Sequence, residues 1–294
     1  MNGLLAPESL FSRRFFFLAR RFVAGDTIET ALEAVRELNA QGLSATLDFL
    51  GEDVTDLAEA TRTRDTYFDM LAAIEASGAK TNVSVKLTAL GLLVDEDLCV
   101  RYLGDICARA AGLGDPFVRI DMEGSAVTGE TLRVFEAVYA QHPNTGPVIQ
   151  AYLKRSPADV ERAIVLGARV RLCKGAYEEP PEIAFQAMPA IRKAYVRLAG
   201  ALLTRGNYPA IATHDERLID AVKRYTADCG IGPERFEFQL LYGVRPELQR
   251  RLVREGYRVR IYVPFGTHWA GYFYRRVTER RENLLFAVRS MFAR

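Results

Sequence analysis

The sequence has no C-x-x-C pair among its four cysteines, Cys99, Cys107, Cys173 and Cys229. That argues against a zinc ribbon and a disulfide framework, and it fits a reducing cytosol. Histidine is scarce: only His142, His214 and His268 are present, and neither H-x-H nor H-E-x-x-H spacing occurs. No metal site is therefore expected. An excess of one charge is also missing. Lys and Arg number 39 against 37 Asp and Glu, a net charge of +2, which argues against electrostatic selection of nucleic acid. No apolar run is long enough to span a bilayer. Arg13 and Arg14 are not followed by an uncharged apolar stretch, so no secretory signal is expected. There is no low-complexity linker to mark a domain boundary and no G-x-G-x-x-G turn.

What is present is a repeating pattern. With 49% hydrophobic residues over 294 positions, the chain has ample material for one large α/β domain or two small ones. Residues 7–23 interleave Phe11, Phe15, Phe16, Phe17, Leu18 and Phe22 with Arg13, Arg14, Arg20 and Arg21. This predicts a basic, aromatic-rich amphipathic helix. It is suited either to lying on an anionic membrane or to packing its aromatics on the domain while its arginines reach solvent. Ile28, Ala31, Leu32, Val35 and Leu38 follow the helical period over 27–41, and Gly42 ends that helix. Short β-rich runs then follow at 45–50, 83–87, 117–122, 147–152, 170–174, 210–213, 236–241 and 259–263. Helical patterns lie between them near 55–77, 95–111, 128–140, 156–167, 182–205, 215–229 and 245–255. Eight β-then-α units predict an α/β fold of the (β/α)₈ barrel type, with 1–42 as an N-terminal helical arm and 43–294 as the barrel. A doubly wound parallel sheet is the rival, because periodicity does not show closure. Eight units without a dinucleotide-type glycine turn favour the barrel.

A barrel places its chemistry at the C-terminal ends of its strands. Those ends carry Asp48, Lys86, Asp121 with Glu123, Gln150, Arg171 with Lys174, Thr213 with His214, Gln239 and Tyr262. Closure would gather them around one mouth. After the last strand, Pro264 and Gly266 stop the run and Thr267 can cap a helix from about residue 268. That helix carries Arg275 and Arg276, with Glu279 close enough to brace either. Taken alone, it reads equally as a solvated helix with routine ion pairs. Lys86, Arg171, Lys174, Arg275 and Arg276 crowded into one cavity would repel unless they faced an anion, so an anionic substrate, an anionic cofactor or both are expected. Lys86 has two further readings, a Schiff-base nucleophile of the kind barrel aldolases use and an ordinary salt bridge to Asp121. His214 can serve as a structural hydrogen-bond partner. Lys174-Gly175-Ala176-Tyr177 reads as a strand-to-loop turn where backbone approaches a ligand closely.

Seven segments occur in order: V-S-V-K-L-T-A-L-G (83–91), R-I-D-M-E-G (119–124), V-I-Q-A-Y-L (148–153), V-R-L-C-K-G-A-Y (170–177), I-A-T-H-D (211–215), F-E-F-Q-L-L-Y-G (236–243) and Y-F-Y-R-R-V-T-E (272–279). Together they resemble the proline dehydrogenase family, in its small single-function bacterial form, over roughly residues 40–290. The resemblance implies a distorted (β/α)₈ barrel with non-covalent FAD at its mouth and the last helix over the site. It implies oxidation of L-proline to Δ¹-pyrroline-5-carboxylate, the first step of proline catabolism to glutamate, with electrons passed to a membrane quinone. Lys86, Arg275 and Arg276 match the cations that hold the proline carboxylate. Tyr262 and Tyr272 match aromatics that close around the ring, and Leu172 an apolar wall. Asp121 and Arg171 match catalytic residues beside flavin and substrate. Met122, Gln150, Lys174, Gly175, Ala176, Thr213, His214, Gln239 and the turn of Glu279, Arg280, Arg281 and Glu282 match FAD contacts. Two departures stand out. Met122 follows Asp121 where other branches carry alanine, and the loop after Pro264 is shorter than in the large bifunctional relatives. Nothing resembles the aldehyde dehydrogenase half of those relatives. The expected setting is cytoplasmic, with weak peripheral contact at the inner face of the membrane and no nucleic-acid partner. Two other functions stay open on the residues: a Schiff-base aldolase using Lys86, and a non-enzymatic membrane or nucleic-acid adaptor built on the Phe-rich start. The adaptor leaves the polar strand ends unexplained.

Overall fold

A computed structural model describes residues 21–269 and Tyr272. Helix α1 (Ile28–Ala40) precedes eight strands: β1 (Ser44–Phe49), β2 (Thr81–Val85), β3 (Val118–Ile120), β4 (Thr145–Gln150), β5 (Arg171–Cys173), β6 (Ala210–Ala212), β7 (Glu237–Leu241) and β8 (Val259–Phe265). The intervening helices are α2 (Leu57–Ser77), α3 (Glu96–Ala110), α4 (Thr128–Tyr139), α5 (Ser156–Leu166), α6 (Met188–Arg205), α7 (Glu216–Asp228) and α8 (Pro246–Arg254). All eight strand pairings are parallel, and β8 pairs with β1 from Ser44 opposite Arg260 to Phe49 opposite Phe265. The sheet is a closed barrel, and the doubly wound alternative falls.

The helices start where side chains can accept orphan backbone N–H groups. Thr27, Asp56, Asp95 and Asp215 each cap a first turn. The helical pattern expected over 182–205 begins only at Met188. Pro180 and Pro181 resist helix, and Leu153 forms an antiparallel bridge with Ala184, so this stretch is spent as a loop against the β4 end. Of the basic helix expected over 7–23, residues 7–20 lie outside the described residues, as does the last helix apart from Trp269 and Tyr272.

Strand residues alternate between two environments. Leu47, Val83, Val85, Val118, Ile120, Ile149, Leu172, Ile211, Phe238, Ile261 and Val263 are buried in the main apolar core. Their neighbours are buried too, but polar: Thr46, Asp48, Ser84, Arg119, Arg171, Glu237, Gln239 and Arg260. Several of these meet across the barrel. Arg171 on β5 reaches Ser84 on β2 (3.1 Å), and Arg260 on β8 reaches Asp115 ahead of β3 (2.8 Å). The interior is therefore a hydrogen-bonded ionic core in place of the branched apolar layers usual for this fold. Buried charges persist only when paired or hydrogen-bonded; among the described residues Arg119 has no ion pair and donates instead to the carbonyls of Pro147 (3.0 Å) and Arg169 (2.5 Å). Arg260 donates to Glu237 (2.9 Å) and to the Ala45 carbonyl (2.6 Å).

Candidate active site

Four charged side chains and one phenol form the floor of the mouth. Asp48, at the end of β1, is wholly buried and accepts two bonds from Lys86 Nζ, at 2.9 and 2.7 Å. Asp121, just beyond β3, accepts from Arg171 Nη1 at 2.7 Å and from the Tyr262 hydroxyl at 2.8 Å. Lys86 Nζ also lies 3.4 Å from the Tyr262 hydroxyl and 3.9 Å from Asp121. The Arg171 guanidinium sits 5.4 Å from the Tyr262 ring centroid, and Tyr272 stacks on that ring at 6.5 Å with 19° between planes.

Burial pushes the Asp48 carboxyl up to about 6, while the Lys86 ammonium beside it opposes the rise. Burial also disfavours the Lys86 ammonium, but Asp48 and Asp121 outweigh it and hold that amine above its usual range. A Schiff-base lysine needs a depressed pKa to be neutral and nucleophilic. Lys86 is the opposite, which disfavours the aldolase reading. Its main partner is Asp48, with Asp121 second, so the expected bridge to Asp121 is only the longer contact.

Among the described residues the charges at the mouth balance, while Arg275 and Arg276, which the expected surplus includes, lie outside them. Asp48, Lys86, Asp121 and Arg171 sum to zero charge, and Lys174 faces Asp215 at 3.7 Å. Beside Lys86 a cavity of ≈ 210 Å³ opens between the loop after β1 and the start of the last helix, lined in part by Leu50, Glu52, Val54, His268 and Tyr272. That is far more than the ~10–15 Å³ one water needs.

The other predicted residues surround this floor. Gln150 donates to the carbonyls of Met122 (3.2 Å) and Glu123 (2.8 Å), tying β4 to the end of β3. Its own Oε1 is buried with no hydrogen-bond partner among the described residues. Thr213 Oγ1 accepts from Asp215 N (3.1 Å), and His214 Nε2 accepts from Leu241 N (3.1 Å), so His214 braces β6 against β7. Gln239 accepts from Arg171 Nε at 2.5 Å. Gly175 has φ +117°, and a Cβ there would fall 2.3 Å from the Tyr152 ring. The close approach expected at that turn is thus with Tyr152; Ala176 follows half-buried. Leu172, the neighbour of Arg171 on β5, is wholly buried in the main apolar core. Arg275, Arg276, Glu279, Arg280, Arg281 and Glu282 lie outside the described residues.

Partners are less legible in the sequence than positions. Asp48 stood among the polar strand ends but was given no role, and Ser84 and Glu237 were not singled out. Each lies two residues before a predicted site residue or strand end on the same strand face, and that two-residue period was the available signal. Glu123 was noted without a function. It is 4% exposed and accepts from Thr88 N (3.2 Å) and Thr88 Oγ1 (2.5 Å). Burial raises its carboxyl from 4.5 to about 7 despite those bonds. Between these values the folded state keeps a proton that the unfolded chain has released. Stability from this group is therefore full below about pH 4.5 and falls as pH rises towards 7, by up to about 1.4 kcal/mol per pH unit. Melting temperatures at pH 5 and pH 7 should differ less in Glu123→Gln than in the wild type; an equal difference would contradict this assignment.

A closed parallel barrel with ion pairs converging at the C-terminal strand ends defines a (β/α)₈ barrel enzyme. The family model described as Proline dehydrogenase matches residues 31–289. The chain is 40% identical to proline dehydrogenase of Deinococcus radiodurans over 289 residues, covering 97% of this chain and 93% of that one. It is 40% identical to proline dehydrogenase 1 of Bacillus subtilis strain 168 over 273 residues, covering 93% and 90%. Among solved structures it superposes on proline utilization A (PutA) from Bdellovibrio bacteriovorus, inactivated by N-propargylglycine, with TM-score 0.85 and 27% identity. That match covers 91% of this chain and 33% of the larger protein, so the chain spans a third of its length. The chain belongs to the proline dehydrogenase family, and it is an oxidoreductase.

Proposed function

We propose that this enzyme oxidises L-proline to Δ¹-pyrroline-5-carboxylate, using non-covalently bound FAD and passing the electrons to a membrane quinone. The observation that carries the reading is the convergence of Lys86, Asp121, Arg171 and Tyr262 on one floor beside a cavity of small-molecule size. FAD, when bound, supplies the two-electron acceptor for the hydride lost from proline C5. The residues present fit it. Gln150 Oε1 is a buried acceptor that a ring N–H would satisfy, and Lys174 offers positive charge at the β5 end. Met122, Gly175, Ala176, Thr213, His214 and Gln239, with Glu279, Arg280, Arg281 and Glu282 in the sequence beyond the described residues, complete the residues assigned to hold it. Yellow colour should pass into the supernatant on acid precipitation; colourless protein expressed with ample flavin would overturn the assignment.

The chain's own task is to bind and orient. Because the floor is neutral, a proline carboxylate needs further positive charge, and the sequence offers it at Arg275 and Arg276. Tyr262 and Tyr272 supply stacked apolar faces for the ring, and Asp121 holds both Tyr262 and Arg171 in place. Delivery to quinone accords with the basic, Phe-rich sequence of residues 7–23, which suits weak contact with an anionic bilayer. No helix among the described residues is long and apolar enough to cross one.

Tyr262 also sets substrate choice in this reading. Its hydroxyl is fixed between Asp121 and Lys86, so the side chain cannot swing aside for an added ring oxygen. A filled site admits extra atoms only through strain. Trans-4-hydroxy-L-proline should be a much poorer substrate than proline. Tyr262→Ser should lower kcat/KM for proline and narrow the gap between the two, and a variant with unchanged preference would refute this role.

A further inference from the structure

Arg171 is held on three sides, and the third side leads away from the mouth. Its Nη1 and Nη2 donate to Asp121 and Ser84, while its Nε donates to Gln239 Oε1 at 2.5 Å. A guanidinium only donates, so it needs the carbonyl end of Gln239. The two ends of that amide are nearly the same shape, and nothing in Gln239 itself selects one. Arg171 favours the carbonyl end from above, and the same orientation is fixed from below. Gln239 Nε2 donates to Glu237 Oε1 at 2.6 Å, and a carboxylate oxygen accepts but cannot donate when ionised. Glu237 is 4% exposed and is itself fixed by Arg260 Nε at 2.9 Å. Burial alone would raise its carboxyl, but Arg260 and the Gln239 amide more than offset it, so it stays charged. Arg260 in turn is anchored by Asp115 at 2.8 Å.

We propose that Glu237 is a positioning residue for Arg171: through Gln239, whose amide it orients, it fixes the plane in which Arg171 presents its remaining N–H groups to the mouth. The proposal rests on the placement of Arg171 at the reacting end argued above. Glu237 touches neither cavity nor floor, so its influence passes through one amide. Losing the acceptor leaves that amide anchored by Arg171 alone with its NH₂ unsatisfied, so the carbonyl that fixes the guanidinium plane is held less firmly.

The decisive variants are Glu237→Met, which withdraws the acceptor at similar size, and Glu237→Gln, which can keep a carbonyl in the same place. In protein labelled with ¹⁵N-arginine, the Arg171 Nε–H signal is identified by its loss in Arg171→Lys, and its exchange with water is measured. Glu237→Met should speed that exchange about ten-fold and lower kcat about ten-fold, with KM for proline changed by less than about two-fold. Glu237→Gln should restore both. If Glu237→Met does not fold because Arg260 is left short of a partner, Glu237→Met with Arg260→Met removes both charges and carries the same expectation. Wild-type exchange and kcat in whichever Met variant folds would overturn the proposal, as would a Glu237→Gln enzyme no better than Glu237→Met. A wild-type protein inert towards proline would defeat the assigned reaction instead, and would leave the exchange measurement standing.

Discussion

Lys86→Met is expected to lose both stability and proline turnover, and a second substitution should separate the two losses. Asp48 is wholly buried and Lys86 is its only close cation among the described residues, at 2.7 Å. Removing one partner of a buried pair typically costs about 3–5 kcal/mol. Adding Asp48→Leu removes the stranded carboxyl and should recover most of that stability. It should not recover activity, because the ammonium that faces the cavity is still missing. Loss of a charge-assisted contact to the substrate corresponds to about 1.5–3 kcal/mol, or roughly ten- to a hundred-fold in kcat/KM. Thermal melts and steady-state kinetics on both variants give the answer. Wild-type turnover by the double variant would show that Lys86 serves only to neutralise Asp48.

Asp121→Ala is the second change with a large expected effect, because one carboxylate organises three groups. It accepts from Arg171 at 2.7 Å and from Tyr262 at 2.8 Å, and it lies 3.9 Å from Lys86. Without it, Arg171 loses its only anionic partner among the described residues and Tyr262 loses the acceptor that fixes its ring. Two charge-assisted bonds at about 1.5–3 kcal/mol each imply at least a hundred-fold fall in kcat/KM. Asp121→Asn should be milder, since one oxygen can still accept from Arg171 or Tyr262 while the NH₂ meets a donor on the other side. Equal kinetics for Ala and Asn would mean that charge alone matters at this position and that the directed bonds do not.

The fold was legible because its two periods are clean. Eight short β-rich runs separated by helical patterns became eight strands, with ends displaced by a few residues. Among the described residues the stretch before Met188 differed, where a proline pair and a strand-like bridge override the helical pattern. Closure itself could not be read from periodicity. It depends on Ser44–Phe49 meeting Arg260–Phe265, a pairing that no local pattern encodes. Site positions were legible for a related reason: barrel geometry turns strand ends into one mouth, so Lys86, Asp121, Arg171, Gln239 and Tyr262 could be gathered without coordinates. Partners were not legible. Whether Lys86 chooses Asp48 or Asp121 depends on barrel stagger, and a motif names residues without saying which partner each will meet.

The ionic interior also bears on how the chain reaches its native state. Seven of the eight strand pairings join neighbours in sequence, whereas Arg260 bonds the carbonyl of Ala45 across 215 positions. Contacts that distant form late, because loop-closure entropy must be met before they contribute. Until β8 docks, Glu237 lacks its arginine, and an unpaired buried carboxylate is strongly disfavoured. An open, seven-stranded intermediate would therefore keep its centre hydrated. Expulsion of water from the barrel, neutralisation of Glu237 and the joining of the two ends of the sheet become one event at the folding barrier.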